Sequence, residues 1–570
     1  MSQNGVFTVL TEVFVMSIFG SLAGKTLSEL LKVGDPAPDA ASVDRDGKIV
    51  WRDLCASTKE QAADILKVVA ACNRGAPLAV PIQRSIIDSW NARPAGLGHP
   101  DRRDDMIEFS PGNLRVPRWT RPVYMVAAGF SDFRKRYPEK KLEELCMMAF
   151  RMLLEENDLK LDPLEVKGLI NFASYGEFAD HFQDQLLCEA KVHDYLGLDL
   201  LPNVGVKTGG ATGGSAMLVG ATTVASGMSD CTLVLGWERM DEVKTWTGNY
   251  YIATAACKDF ETRLARNYAS YYAPMARRFQ EMYHVDERVR AEIAVKNRQN
   301  ACSSPFAQQP GRHTVDEVLA GDIVSDPLRF LECCAMSVGS AATLLCSEEV
   351  ARRLTDKPVQ LYIAGGSHTL RTGDRRPMRI PLLPHETEEG YRWLYDEMKK
   401  HDGRWPGFES FAAARFAAYM VYRMAGIQNP IEDLDLVETH DAFTISDLQT
   451  YGDVGLTLYG REQEFVTSGD CYLKNPKTGK PGRCPANLSG GLLGTMHAVG
   501  ATGIFQCGEV LWQLQGKYDQ FHGDPKLWAR YGKKKPADWM SLQVKDPRRG
   551  LAISHAGVGS HVTCTVLEKA

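Results

Sequence analysis

VKTGGATGGSAMLVGATTVASG, residues Val206–Gly227, is the stretch on which the reading of this 570-residue chain turns. Gly209, Gly210, Gly213 and Gly214 crowd its first half, and the remainder is built almost wholly of Ala, Ser, Thr, Val and more glycine. Glycine permits sharp turns and close backbone approach, so the pattern predicts a tight turn that opens a helix. A helix of small residues lets neighbouring backbones come near, which places it at the centre of the molecule. Directly after it, CTLVLGWERM (Cys231–Met240) is an apolar run bounded by charge, the pattern of a strand covered on both faces.

Moving outward, RPVYMVAAGFSDF (121–133) reads as strand then loop, KKLEELCMMAFRMLLEEND (140–158) as an amphipathic helix, and KGLINFASY (167–175) as the next strand. Residues 241–330 break this rhythm with aromatic and Arg-rich helices such as NYASYYAPMARRFQEMY (267–283), which predicts an inserted loop domain. A second series follows, with strand-like VQLYIAGG (359–366), LDLVETH (434–440) and LAISHAG (551–557). Such alternation predicts an α/β fold whose helices cover a largely buried sheet. Two similar halves are expected, although no strong internal repeat links them.

Residues 1–118 differ from the rest. A helical pattern over Thr58–Ala71 precedes the Pro, Gly and Arg-rich stretch SWNARPAGLGHPDRRDD (89–105), and the boundary falls at PRWTRP (117–122). The expected division is an N-terminal extension over 1–118, a first half over 119–350 that contains the loop domain, and a second half over 351–570. Val6–Ala23 is apolar, but Glu12 interrupts it and no basic residue precedes it, so an amphipathic helix is expected there and no membrane span. Met16 begins an alternative, shorter reading of the chain, which would make the first fifteen residues a start-site artefact.

Composition narrows the function classes. Hydrophobic residues at 44% and charged residues at 24% are those of an ordinary globular protein. With 66 Lys plus Arg against 71 Asp plus Glu, the net charge of -5 offers no basic field for nucleic acid. The fourteen cysteines include no CxxC pair, which suits reduced thiols in the cytoplasm. The thirteen histidines show no HxxxH or HExxH spacing, so no metal site is expected.

Joined to the opening stretch, several later segments carry a resemblance: ETHDAFTISDLQTYGDVGL (438–456), SGGLLGTMHAVGATGIFQ (489–506) and ISHAGVGSHV (553–562). In this order and spacing the chain, from Arg121 onward, resembles the thiolase superfamily, in its sterol-carrier-protein and lipid-transfer-protein branch. The resemblance implies a layered α/β fold of two βαβαβαββ halves with an inserted loop domain, coenzyme A thioesters as substrates, and no covalently bound cofactor. It implies a homodimer or larger assembly. Relatives in this branch often pair with a small zinc-ribbon and OB-fold subunit, and a chain without CxxC would take such a ribbon from a partner.

The resemblance also distributes roles. VKTGGATGG lies where the family has a pattern like VEAACASGG, so Gly210 stands in the position of the acyl-carrying cysteine. His440 matches the histidine that stabilises the enolate oxyanion. His497 matches the histidine that activates the missing thiol, with Met496 and Ala498 around it in place of Gly and Pro; it is either a base for a coenzyme A thiol or a hydroxyl, or a residue of a Gly-rich turn at a helix start. His555 falls where this branch replaces a second cysteine and is a candidate proton carrier to the substrate α-carbon. The adjoining Gly557 is a candidate backbone N–H donor to an oxyanion. Cys333 and Cys334 precede SVGSAATLL, which resembles a structural segment of the family, and neither they nor Cys257 and Cys507 are expected as nucleophiles. Three functions remain open: a β-ketoacyl-coenzyme A thiolase or acyltransferase working without the cysteine thioester, a retro-aldol lyase of β-hydroxyacyl-coenzyme A, and a non-catalytic thiolase-fold subunit.

Overall fold

Val123–Phe130 and Cys231–Arg239 are buried along their whole length, as apolar runs covered on both faces must be. The computed structural model describes the short strands Lys25–Thr26, Ala41–Val43 and Lys48–Arg52, and residues 116–570 apart from 260, 369–379, 395 and 397–406. The chain divides into two compact units, residues 1–107 and 108–570. In the first, Lys48–Arg52 pairs antiparallel with both other short strands. The helices expected over Val6–Ala23 and Thr58–Ala71 lie outside the described residues.

The second unit carries a nine-stranded sheet. Its strands are β1 (Val123–Phe130), β2 (Phe172–Glu177), β3 (Asn203–Val206), β4 (Cys231–Arg239), β5 (Val338–Cys346), β6 (Val359–Ser367), β7 (Leu436–Glu438), β8 (Arg549–Ala556) and β9 (His561–Lys569). Their spatial order is β7-β8-β9-β6-β1-β5-β4-β2-β3. Only β2 with β3, β2 with β4, and β7 with β8 are parallel pairs.

Outward from the β1·β6 junction, which spans three residue pairs from Val359↔Met125 to Leu361↔Val123, the two halves repeat one pattern. In each, the first strand pairs antiparallel with the last, the last with the penultimate, and the penultimate parallel with an earlier one. The strand of the second half that would correspond to β3 is reduced to a parallel bridge, Val437 to Ala486. It is held because Val437 N–H donates to Pro485 O and Asn487 N–H to Val437 O, each at 2.9 Å.

Helices form layers around this sheet. Helix α1 (Leu142–Glu155) buries Leu142, Leu145, Ala149 and Leu153, an i, i+3, i+4 stripe, against β1 and β5. Two helices lie at the centre, α2 (Thr212–Ala225) and α3 (Val499–Gln515), and both touch strands of each half. Every residue of α3 is buried, so it has no polar face to show. The small residues explain how the pair fits. A Cβ on Gly213 would stand 2.6 Å from Gly503 N, and one on Gly503 would stand 2.2 Å from Gly214 N. Helix α4 (Ala412–Ala425) covers β6 and β9 on the outside. Over 241–330 the chain includes the helices Thr245–Ala253, Ala269–Tyr283 and Glu287–Ala301. Among the described residues no helix is long and apolar enough to cross a membrane.

Candidate active site

Two strand ends and one helix start converge on a cluster of imidazoles. His440 follows β7, His497 immediately precedes α3, and His555 lies near the end of β8. The ring centroids of His440 and His555 are 4.1 Å apart, and those of His440 and His497 5.0 Å. Residues far apart in the chain thus meet in one cluster, with His440 and His555 buried and His497 half-buried.

Buried side chains fix the loop that carries His440. Thr439 N–H donates to Asn487 Oδ1 at 2.8 Å, and Thr439 Oγ1 donates to Asp447 Oδ1 at 2.5 Å. Asn297 Nδ2 bridges Asp441 and Asp447 at 2.7 and 3.1 Å, while Leu492 N–H donates to Asp441 Oδ1 at 2.7 Å. Burial, together with the Asp447 charge, pushes the Asp441 carboxyl up to about 7.

The hydrogen bonds assign the ring protons. His555 N–H donates to His440 Nδ1 at 3.4 Å, so that nitrogen is the acceptor and His440 carries its proton on Nε2. A carbonyl can only accept, so the 3.2 Å contact between His555 Nε2 and His440 O puts the His555 proton on Nε2. Thr502 Oγ1 donates to Ala498 O at 3.1 Å and therefore accepts from His497 Nδ1, also at 3.1 Å, which leaves His497 Nε2 as a base. Burial, reinforced by the two neighbouring imidazoles, drives the His440 pKa well below the usual histidine value. Burial alone lowers His497 to about 4. At neutral pH His440 is therefore an uncharged N–H donor and His497 an uncharged base.

Gly210 sits in the turn Gly209–Ala211 that leads into α2. Thr212 stitches that turn: its hydroxyl accepts from Thr208 N–H at 2.9 Å and donates to Gly209 O at 2.7 Å. Gly209 has φ +62°, the left-handed region that favours glycine. A Cβ on Gly210 would stand only 2.4 Å from His555 O, so the turn and the end of β8 meet backbone to backbone. The β8–β9 connection includes Gly557 at φ +60°, whose carbonyl accepts from the Tyr272 hydroxyl at 3.2 Å.

Buried aromatic rings pack against the cluster. Tyr272 stacks on Phe443 at 4.4 Å, and Phe411 lies 4.8 Å from His555. Phe443 is part of the THDAF motif; Tyr272 and Phe411 carry no motif, and only their place in aromatic-rich stretches marks them in the sequence.

The cysteines take a different part. Cys334 N–H donates to Ala442 O at 2.9 Å, which ties its segment to the His440 loop. Burial pushes the Cys334 and Cys507 thiols up to about 12 and raises Cys333 as well, so none of these three presents a thiolate at neutral pH. Cys257 lies two residues beyond Ala255, whose Cβ approaches the Gly209 position, and its N–H donates to Glu261 Oε2 at 3.1 Å.

Comparison with known proteins agrees with this architecture. The model of the thiolase N-terminal domain matches residues 123–349, and that of the thiolase C-terminal domain-like family matches 398–524. An acetyl-CoA acetyltransferase of Methanothermobacter thermautotrophicus is 33% identical over 384 residues, covering 66% of this chain and 89% of that protein. The chain belongs to the thiolase family. Within that family it is similar to the sterol carrier protein 2 branch, with 26% identity to the Homo sapiens protein over 413 residues, 70% of this chain and 67% of that protein. Among solved structures, the Ltp2-ChsH2(DUF35) aldolase shares the thiolase fold with a TM-score of 0.58 at 18% identity, over 79% of this chain and 99% of that one.

Proposed function

We propose that this chain makes or breaks a carbon–carbon bond beside the thioester carbonyl of an acyl-coenzyme A, without an acyl-enzyme. The observation that carries the proposal is the cluster of directed imidazoles in which His440 and His497 are neutral. An enolate oxygen needs a preorganised donor in a site closed to water, and the His440 Nε2–H supplies one. His497 Nε2 and His555 Nδ1 are the complementary acceptors, able to take a proton from the α-carbon when the bond is made; in cleavage the α-carbon gains a proton instead. The Gly557 N–H is the backbone donor of this reading.

The same site serves thiolysis by free coenzyme A and retro-aldol cleavage of a β-hydroxyacyl-coenzyme A. The close approach of Gly210 to His555 O favours the aldol form, because cleavage of that kind has no acyl group to hold on the protein. A non-catalytic subunit has no need of three converging rings with assigned protons. The decisive experiment is product analysis with β-ketoacyl and β-hydroxyacyl-coenzyme A thioesters, with and without free coenzyme A. Cleavage of the hydroxy compound without free coenzyme A supports the aldol form, and a strict need for coenzyme A with the keto compound supports thiolysis.

An assembly belongs to the proposal. We expect a homodimer or larger, accompanied by a small zinc-ribbon and OB-fold chain; the Ltp2-ChsH2(DUF35) aldolase, whose name joins Ltp2 to a DUF35 protein, supports such a pairing. Full turnover by the chain purified alone as a homo-oligomer would remove the partner.

A further inference from the structure

A row of hydroxyls and one imidazole runs from the protein surface to the turn that carries Gly210. Thr208 Oγ1 donates to Ser215 Oγ at 2.7 Å. Ser215 Oγ lies 3.2 Å from His561 Nε2, and His561 Nδ1 lies 2.7 Å from Ser367 Oγ. With the Thr208 proton on Ser215 Oγ, the Ser215 proton points to His561 Nε2, and the remaining imidazole proton on Nδ1 points to Ser367. The four donors and acceptors therefore agree on one direction.

Three separate stretches of the chain bring these residues together. Thr208 stands two residues before Gly210, and Ser215 lies in the first turn of α2. His561 opens β9 directly after the Gly557–Gly559 turn, and Ser367 closes β6 as its cross-strand partner. Ser367 is exposed, His561 and Thr208 are half-buried, and Ser215 is buried. Burial lowers the His561 pKa, which keeps the ring neutral with one accepting nitrogen. Satisfying the buried Ser215 hydroxyl would take one bond; an unbroken row that reaches solvent at one end and the nucleophile position at the other does more than that.

Its inner end has a chemical address. The inner end lies at the turn of Gly210, the position that the resemblance gives to the acyl-carrying cysteine, so on the function proposed above the β-oxygen of a bound acyl group would come beside Gly210 and Thr208. We propose that Thr208, Ser215, His561 and Ser367 form a proton relay that removes the β-hydroxyl proton of a bound β-hydroxyacyl-coenzyme A. This inference rests on the aldol form of the function proposed above. The β-hydroxyl O–H bond breaks as its oxygen becomes a carbonyl, and the proton enters the row at Thr208 while one leaves from Ser367 to water. The electron pair of the Cα–Cβ bond passes to the enolate that faces His440. The enolate carbon regains one proton from solvent, so the products are a carbonyl compound and the shortened acyl-coenzyme A.

The test uses the full chain, purified with any protein that accompanies it, and two probes, β-hydroxybutyryl- and β-hydroxy-β-phenylpropionyl-coenzyme A, with release of aldehyde as the readout. Thr208→Val and His561→Gln are each expected to lower kcat on the order of 100-fold with KM unchanged. Thr208→Ser, which keeps the oxygen, is expected to recover most of that turnover. The double variant should lose no more than either single one, because a relay cut once is already cut. Additive losses, a changed KM, or a fall in thermal midpoint that tracks the fall in turnover would overturn the relay in favour of a structural role. Turnover unchanged in His561→Gln would overturn the relay alone. No cleavage of either probe by the unsubstituted protein would overturn the aldol reading and the relay with it.

Discussion

Restoring a side chain at Gly210 is the sharpest perturbation this site offers. The variants Gly210→Cys and Gly210→Ala add the same Cβ, and only the first adds sulfur. That Cβ would stand 2.4 Å from His555 O and 3.3 Å from Ala556 Cα. Ordinary contact begins near 3.4 Å, so the backbone of the turn or of the β8 end must yield by about 1 Å. Neither moves cheaply: the turn is stitched by Thr212, and His555 is held by its two bonds to His440. Overpacking typically costs about 1–3 kcal/mol, and a backbone obstacle belongs at the upper end. Both variants should therefore unfold at a lower temperature by a similar amount, read by thermal denaturation. Mixed with acetyl-coenzyme A, the Gly210→Cys protein should carry no stable acyl group by intact mass measurement. The unsubstituted chain should carry none either. A Gly210→Cys variant that unfolds at the native temperature and gains an acetyl group would refute the steric reasoning, for it would show an intact nucleophile pocket merely lacking its sulfur.

Further outcomes follow from the imidazoles and thiols. His440→Ala should lower kcat by on the order of 100-fold or more with little change in KM, because an oxyanion donor acts mainly in the transition state; equal loss of folding and activity would mark a structural histidine. His497 is depressed to about 4 from 6.5 in the folded state, so its contribution to stability is present above 6.5 and is lost as pH falls toward 4, up to about 3 kcal/mol. Buried Asp441 and Glu438, with raised pKa values, act in the opposite sense, so urea titrations of the protein and of His497→Gln should be compared: the variant should lose less stability between pH 7 and pH 4, and equal losses would contradict the burial argument. Iodoacetamide should leave Cys334 unmodified in the folded protein and alkylate it after denaturation, since its thiol is held near 12; rapid labelling in the native state would return Cys334 to the candidates for a nucleophile.

Local pattern was enough for much of this. Small residues over Val206–Gly227 announced a central helix because nothing larger permits the contact between Gly213 and Gly503. The continuous apolar run of Cys231–Met240 announced a strand buried on both faces, and the amphipathic period placed α1 within a few residues of its ends. The motifs around His440, His497 and His555 singled out three residues whose rings lie together in the fold. The strand opposite Val437 was not, because a single bridge at Ala486 leaves no alternating pattern to read.

What the sequence by itself determined was the order of the elements and the identity of the residues at the family positions, since both follow from short-range periodicity and from runs of a few residues. The tertiary structure decided what those residues are able to do. Proton placement on His440 and His497 depends on partners at His555, Thr502 and Ala498, and the backbone contact at Gly210 depends on a strand more than three hundred residues later. The row from Thr208 to Ser367 joins the opening glycine-rich stretch to the start of β9 and the end of β6, segments far apart in the chain. Hydrogen-bond direction and close approach are properties of groups brought together across the chain, and no local pattern encodes them.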